Sequence, residues 1–219
     1  MKFTFKKVIL FDLDGTITDS GEGIINSLKY TLKAYGISNY DEKALYKFLG
    51  PPLIESFMEI LRFDELKAQE AVDKYREYFR DFGIFENRMY KGIESLLKSL
   101  ATDERKIILA TSKAEVFAVR ILEHFNISDY FWAVAGSELN GTRTKKSEVI
   151  RYALDKAGIG ELNSAVMIGD RKHDILGAKE IGIDSIGVLY GYGNYEELKN
   201  AGASIIVETV EDLHKALIG

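Results

Sequence analysis

The chain has 219 residues, 46% hydrophobic and 29% charged, an ordinary globular composition with enough apolar mass for a core. Its net charge of −5, with no block of Lys or Arg, argues against a nucleic-acid partner, because phosphate contacts require a basic face. With no cysteine, disulfides, thiolate metal ligands and a Cys nucleophile are all excluded.

Val8-Ile9-Leu10-Phe11 is a continuous apolar run ending in Asp12-Leu13-Asp14-Gly15-Thr16, which reads as a buried strand entering a tight loop. The run is too short for a signal peptide or a membrane span, and no later segment approaches spanning length. No membrane is therefore expected, and a cytoplasmic location is. Next, Ile24, Leu28, Leu32 and Tyr35 recur at helical spacing, followed by Leu53, Phe57 and Leu61 and then by Val72, Tyr75, Phe79 and Phe82. Residues 16–88 thus read as an all-helical unit of three or four helices. Gly50-Pro51-Pro52 within it has the form of a helix stop and restart.

From about residue 92 the rhythm becomes alternation. A helix marked by Ile93, Leu96, Leu97 and Leu100 precedes a strand at 106–111, a helix at 114–125 and a strand at 131–135. A helix at 146–157, a strand at 165–168 ending in Gly169-Asp170, and a helix at 174–181 follow. A strand at 184–189, a helix at 195–201, a strand at 204–207 and a last helix close the chain. Unbroken apolar strands alternating with helices mean a parallel sheet covered on both faces. The first strand must join that sheet. The expected fold is α/β: a doubly wound, Rossmann-like core of residues 1–15 and 89–219, with residues 16–88 inserted as a helical cap.

Ligands of such sheets bind beyond the carboxyl ends of the strands. The polar residues expected there are Asp12, Asp14, Thr111, Ser112, Asp170 and Asp174, with Lys145 and Lys146 opening a helix. Carboxylates suit a hard cation such as Mg²⁺, while hydroxyls, turn N–H groups and a lysine suit a phosphate. A site holding both can transfer a phosphoryl group. Taken singly, the same residues have plainer readings. Asp12 to Thr16 can form only an Asx turn, Thr111 or Ser112 can cap the next helix, Asp170 and Asp174 can be a cap and a solvated face, and the two lysines can be surface charge.

Asp12-Leu13-Asp14-Gly15-Thr16 resembles the first motif of haloacid dehalogenase-type phosphatases, D-x-D-G-T. Thr111-Ser112 resembles the second, Lys146 the third, and Gly169-Asp170 through Asp174 the fourth, G-D-x-x-x-D. The order is kept and the likeness covers essentially the whole chain. The helical insertion resembles the type 1 cap. Thr18-Asp19-Ser20 and Gly50-Pro51-Pro52 are similar to the phosphoglycolate phosphatase-like group. The chain departs from the pattern in having Ser147 after Lys146, and Lys91 between Tyr90 and Gly92, where relatives often have Pro.

The resemblance implies that Asp12 attacks phosphorus and becomes an aspartyl phosphate, while Asp14 serves as acid and then as base. It implies Mg²⁺ held by the Asp12 and Asp170 carboxylates and the Asp14 carbonyl, with Asp174 and Thr16 in support. Thr111, Ser112 and Lys146 would hold the phosphoryl oxygens, Lys145 being the alternative lysine, and Gly50, Pro51 and Pro52 would form a cap loop facing the substrate. A small phosphomonoester, such as phosphoglycolate, a nucleoside monophosphate or a sugar phosphate, is the expected partner of a monomer or homodimer. A phosphomutase or a pyrophosphatase on the same core is an alternative, and a phosphoacceptor receiver domain a remote one. The turn Gly191-Tyr192-Gly193 reads as a flexible segment at the edge of the site.

Overall fold

Residues 3–219 are described by a computed structural model. Strand β1, Val8–Phe11, is buried at every position, as an unbroken apolar run must be when both faces of a sheet are covered. Beyond the first loop, the two-residue strand β2, Thr18–Asp19, leads into helix α1, Gly21–Ala34, which buries Ile24, Leu28 and Leu32 on one stripe. A short helix α2, Glu42–Leu45, begins where the Asp41 carboxylate accepts the Lys43 N–H at 2.9 Å. A 3₁₀ turn at Tyr46–Phe48 follows.

Gly50, at φ 105°, and the two prolines then separate this segment from helix α3, Leu53–Leu61, whose N-cap is Pro52. Helix α4, Glu65–Tyr78, is capped by Asp64 and runs into a π turn at Phe79–Gly83. There the Ile84 N–H reaches the Phe79 carbonyl at 2.8 Å, five residues back. The extra residue shifts the helical register, so that Gly83 and Ile84 are buried in place of Phe82. Phe82, expected to continue the apolar stripe, is 61% exposed. Strand β3, Arg88–Met89, pairs with β2.

The rest of the chain alternates. Helix α5 is Ile93–Thr102, strand β4 Lys106–Ala114, helix α6 Glu115–His124 and strand β5 Phe131–Ser137. Helix α7, Lys146–Lys156, strand β6, Ala165–Gly169, and helix α8, Lys172–Ile181, come next. Strand β7, Asp184–Val188, helix α9, Tyr195–Ala201, strand β8, Ile205–Val207, and helix α10, Val210–Leu217, end the chain.

Six strands form one sheet in the order β5-β4-β1-β6-β7-β8, with every neighbouring pair parallel. Leu10 stands opposite Ile108 on one side and Met167 on the other. On one face these residues pack against Val149, Ile150, Ala153 and Leu154 of α7 and Ala178 and Ile181 of α8. Each large apolar side chain so buried stabilises the fold by roughly 1.5–3 kcal/mol. The chain builds leftward from β1 through β4 to β5, then returns to build rightward from β6. The connections leaving β1 and β6 therefore diverge and open a crevice at their carboxyl ends.

Two compact units result: one is the segment ending at Thr18 together with Met89–Gly219, the other is Asp19–Arg88. Among the described residues, no helix is long and apolar enough to cross a membrane.

Candidate active site

Asp12 is the first residue beyond β1, and its N–H still bonds the Ile168 carbonyl of β6 at 2.9 Å. The loop after it is drawn tight by the Leu13 carbonyl, which accepts the N–H groups of Thr16, Ile17 and Thr18 at 3.2, 2.9 and 3.0 Å. Gly15 has φ 80°, and a side chain there would overlap the Asp170 carboxylate. Glycine is thus required both by conformation and by space.

Asp12, Asp170 and Asp174 are all buried and each offers an oxygen within 4.8 Å of the others. Lys146 Nζ lies 2.9 Å from Asp12 Oδ1, 2.7 Å from Asp174 Oδ1 and 3.0 Å from the Ala110 carbonyl, to which it donates. The two carboxylate oxygens are at ion-pair distance yet receive no aligned hydrogen bond. Thr16 Oγ1 is 3.5 Å from Asp170 Oδ1, a distance that makes it a neighbour more than a bonded partner. Asp174 also accepts the Arg171 N–H at 3.1 Å, which fixes the start of α8. Arg171 itself pairs with Glu197 at 2.9 Å.

One lysine among three buried carboxylates leaves them short of positive charge, and burial first, then their mutual repulsion, sets the protonation behaviour. Burial pushes Asp12 up to about 6, against the pull of Lys146 and with the push of Asp174. Burial, then Asp174 and Asp12, hold Asp170 well above the usual carboxylate range, opposed by the Tyr192 N–H and Arg171. Burial works to lower the Lys146 ammonium, but Asp12 and Asp174 outweigh it and its pKa is raised. A buried set of three carboxylates with a single lysine for counter-charge fits a divalent hard cation.

Several expected residues settle differently from their plainer readings. Neither Thr111 nor Ser112 caps α6: β4 runs on to Ala114, which is the N-cap without a side-chain bond. Thr111 Oγ1 accepts the Lys113 N–H at 3.2 Å, and the Ser112 carbonyl accepts the Ser137 hydroxyl at 2.8 Å. Asp170 and Asp174 are not a solvated face, since both are buried, although Asp174 also serves as the capping-box carboxylate of α8 by accepting the Arg171 N–H. Of the two lysines, Lys146 is buried among the carboxylates, while Lys145 is the exposed N-cap of α7. The Gly191–Gly193 turn, expected at the edge of the site, is packed on Asp170.

Lys113 was not singled out by sequence. Its Nζ is 2.8 Å from Asp14 Oδ2, with both side chains largely buried. The signal that could have found it is its place in β4: one residue past Ser112, at the same sheet edge. Gly50, Pro51 and Pro52 lie in the helical unit, between the 3₁₀ turn and α3.

A doubly wound sheet whose carboxyl edge gathers these carboxylates, hydroxyls and a buried lysine defines an enzyme of phosphoryl chemistry. The chain belongs to the haloacid dehalogenase-like hydrolases, whose family profile matches residues 9–188. It is similar to a 5′-nucleotidase of Pseudomonas aeruginosa, 49% identical over 191 residues, covering 87% of this chain and 86% of that protein. It is similar also to the tyrosine-protein kinase PtkA of Mycobacterium tuberculosis, 36% identical over 214 residues, covering 96% of this chain and 72% of that protein. The crystal structure of a predicted phosphatase from Clostridium acetobutylicum superposes with a TM-score of 0.93 at 51% identity, covering 96% of this chain and 97% of that one. The protein is a phosphatase-class hydrolase of this family.

Proposed function

We propose that the protein is a Mg²⁺-dependent phosphomonoesterase in which Asp12 is the nucleophile, with nucleoside monophosphates as the first substrates to try. The observation that carries this reading is the meeting of Asp12, Asp170 and Asp174 with Lys146 at the ends of β1 and β6. The likeness to a 5′-nucleotidase favours nucleotides over phosphoglycolate or sugar phosphates.

The Asp12 and Asp170 carboxylates and the Asp14 main-chain carbonyl would hold Mg²⁺, with Asp174 beside them. The cation supplies charge compensation for the phosphoryl oxygens and for the carboxylates. Asp12 attacks phosphorus, the ester oxygen leaves, and an aspartyl phosphate forms. Asp14 gives the leaving oxygen its proton and then takes one from the water that cleaves the acyl phosphate. Lys146, with the Thr111 and Ser112 hydroxyls, binds the phosphoryl oxygens, and offsets the repulsion between two anions. The helical unit selects the substrate, with Gly50–Pro52 as its substrate loop.

The kinase activity in the name of PtkA belongs to that protein. A phosphomutase or a pyrophosphatase would share the core residues, so the test panel includes hexose phosphates and pyrophosphate. The test is phosphate release by wild type and Asp12→Asn, with and without Mg²⁺. Wild type should turn over only with the cation, and the variant should fall by at least about 10³-fold, as removal of a nucleophile does. Asp12→Asn as active as wild type would refute the nucleophile, and full activity in EDTA would refute the cation.

A further inference from the structure

Asp170 is enclosed by a part of the chain that carries no short motif, the turn Tyr190–Gly193 after β7. The Tyr192 N–H donates to Asp170 Oδ2 at 2.8 Å. A Cβ on Gly191 would overlap the Gly15 carbonyl and the Asp170 Cβ, and would meet Asp170 Oδ2 at 2.6 Å. A Cβ on Gly193 would overlap the Asp170 carbonyl oxygen. Neither glycine has a positive φ. What excludes alanine there is space: at Gly193 the Asp170 carbonyl, and at Gly191 the Asp170 side chain together with the Gly15 carbonyl. The turn is anchored in its own right: the Tyr190 phenol donates to the Thr16 carbonyl at 3.1 Å, and its ring packs on Tyr90 at 5.0 Å. Elsewhere the chain carries glycines with no such neighbour. Gly160 has nothing within 4 Å of where a Cβ would stand and no positive φ.

We infer that the Tyr190–Gly193 turn is a positioning element of the cation site, pressing the Asp170 carboxylate into one orientation so that glycine at 191 and 193 is a requirement of cation binding. The N–H on Oδ2 occupies one lone pair and sets the carboxylate plane. Close packing on its Cβ and carbonyl oxygen removes the alternative rotamers. A ligand held this way loses little freedom when a cation binds, which is what supporting partners of metal ligands provide. The inference rests on the proposed cation reading, and its test separates the two.

The test is Mn²⁺ binding to metal-free protein, read from the EPR signal of free Mn²⁺, with circular dichroism as the check of folding. Wild type and Gly160→Ala should bind alike, and Asp170→Asn should not bind. Gly191→Ala and Gly193→Ala should keep the wild-type spectrum and bind about tenfold or more weakly, the range seen when supporting partners are lost. Folded Gly191→Ala and Gly193→Ala that bind as wild type overturn the inference and leave the cation reading intact. No binding by wild type, or binding by Asp170→Asn as by wild type, overturns both. Should the alanine variants fail to fold, Tyr190→Phe decides, because it removes only the hydroxyl that ties the turn to Thr16. It should bind about threefold more weakly, and unchanged affinity overturns the inference.

Discussion

Lys146 stands between Asp12 and Asp174, and its removal separates the structural from the catalytic part of the site. In Lys146→Met the buried carboxylates lose their cationic partner, a change that costs roughly 3–5 kcal/mol when one member of a buried pair is deleted. Urea unfolding in EDTA should show this loss, and millimolar Mg²⁺ should restore part of it, because the cation replaces the missing charge. Equal stability of variant and wild type in EDTA would mean that the ion pairs contribute nothing.

Asp12 adds a pH dependence to the metal-free protein. Its folded-state pKa of about 6 lies above the ordinary 3.8, so the folded chain holds this proton more tightly than the unfolded chain. The linked stability is fully present below the ordinary value and is lost as pH rises through about 6. Relative to Asp12→Asn in EDTA, wild type should therefore lose roughly 2 kcal/mol between pH 4 and 8. A difference that stays flat across that range would contradict the assignment.

At the scale of elements, the π turn at Phe79–Gly83 and helix α1 meet through two glycines. A Cβ on Gly23 would overlap the Gly83 carbonyl, and the Gly23 N–H bonds the Glu86 carbonyl at 3.0 Å. Gly23→Ala should destabilise the helical unit by about 1–3 kcal/mol, the cost of overpacking, seen as a lower urea midpoint with an unchanged slope. The π turn itself was not legible in the sequence, because the apolar spacing up to Phe79 is that of an ordinary helix and the extra residue is a tertiary adjustment.

The strands were legible for the opposite reason. Those of a parallel sheet are buried on both faces and read as unbroken runs such as Val8–Phe11 and Ala165–Gly169. Where polar residues carry a strand past the core, as Ser112 and Lys113 do in β4, the sequence stops short. The carboxylates could be placed at strand ends from local pattern. The Gly191–Gly193 turn could be placed at the edge of the site, but its close contacts with Asp170 could not, because they join residues far apart in sequence and leave no periodic trace.

For the molecule as a whole, the decisive feature is that the helical unit interrupts the core once, as a single segment. All six strands of the large sheet, and Asp12, Asp14, Thr111, Lys113, Lys146, Asp170 and Asp174, belong to the other unit. The segment leaves and returns through β2 and β3, which pair, so the ends at Thr18 and Met89 are held near each other. A short Gly-Ser bridge in place of residues 19–88 is therefore short enough to close at little entropic cost.

The shortened chain should fold, with a cooperative melt and the dichroism of an α/β protein. It should also bind Mn²⁺ within about threefold of the full chain, because the carboxylates, the tight loop after β1 and the Tyr190–Gly193 turn are all retained. Its chemistry should change in a particular direction. Selection among phosphate esters needs contacts beyond the phosphoryl group, and in the proposed reading the helical unit supplies them. The ratio of kcat/KM for a nucleoside monophosphate to that for a small aryl phosphate should fall toward one, while activity on the aryl ester still depends on Asp12. A shortened chain that folds and binds Mn²⁺ yet keeps the full chain's preference would place selectivity in the core, and one that fails to fold would mean that the core unit is not autonomous.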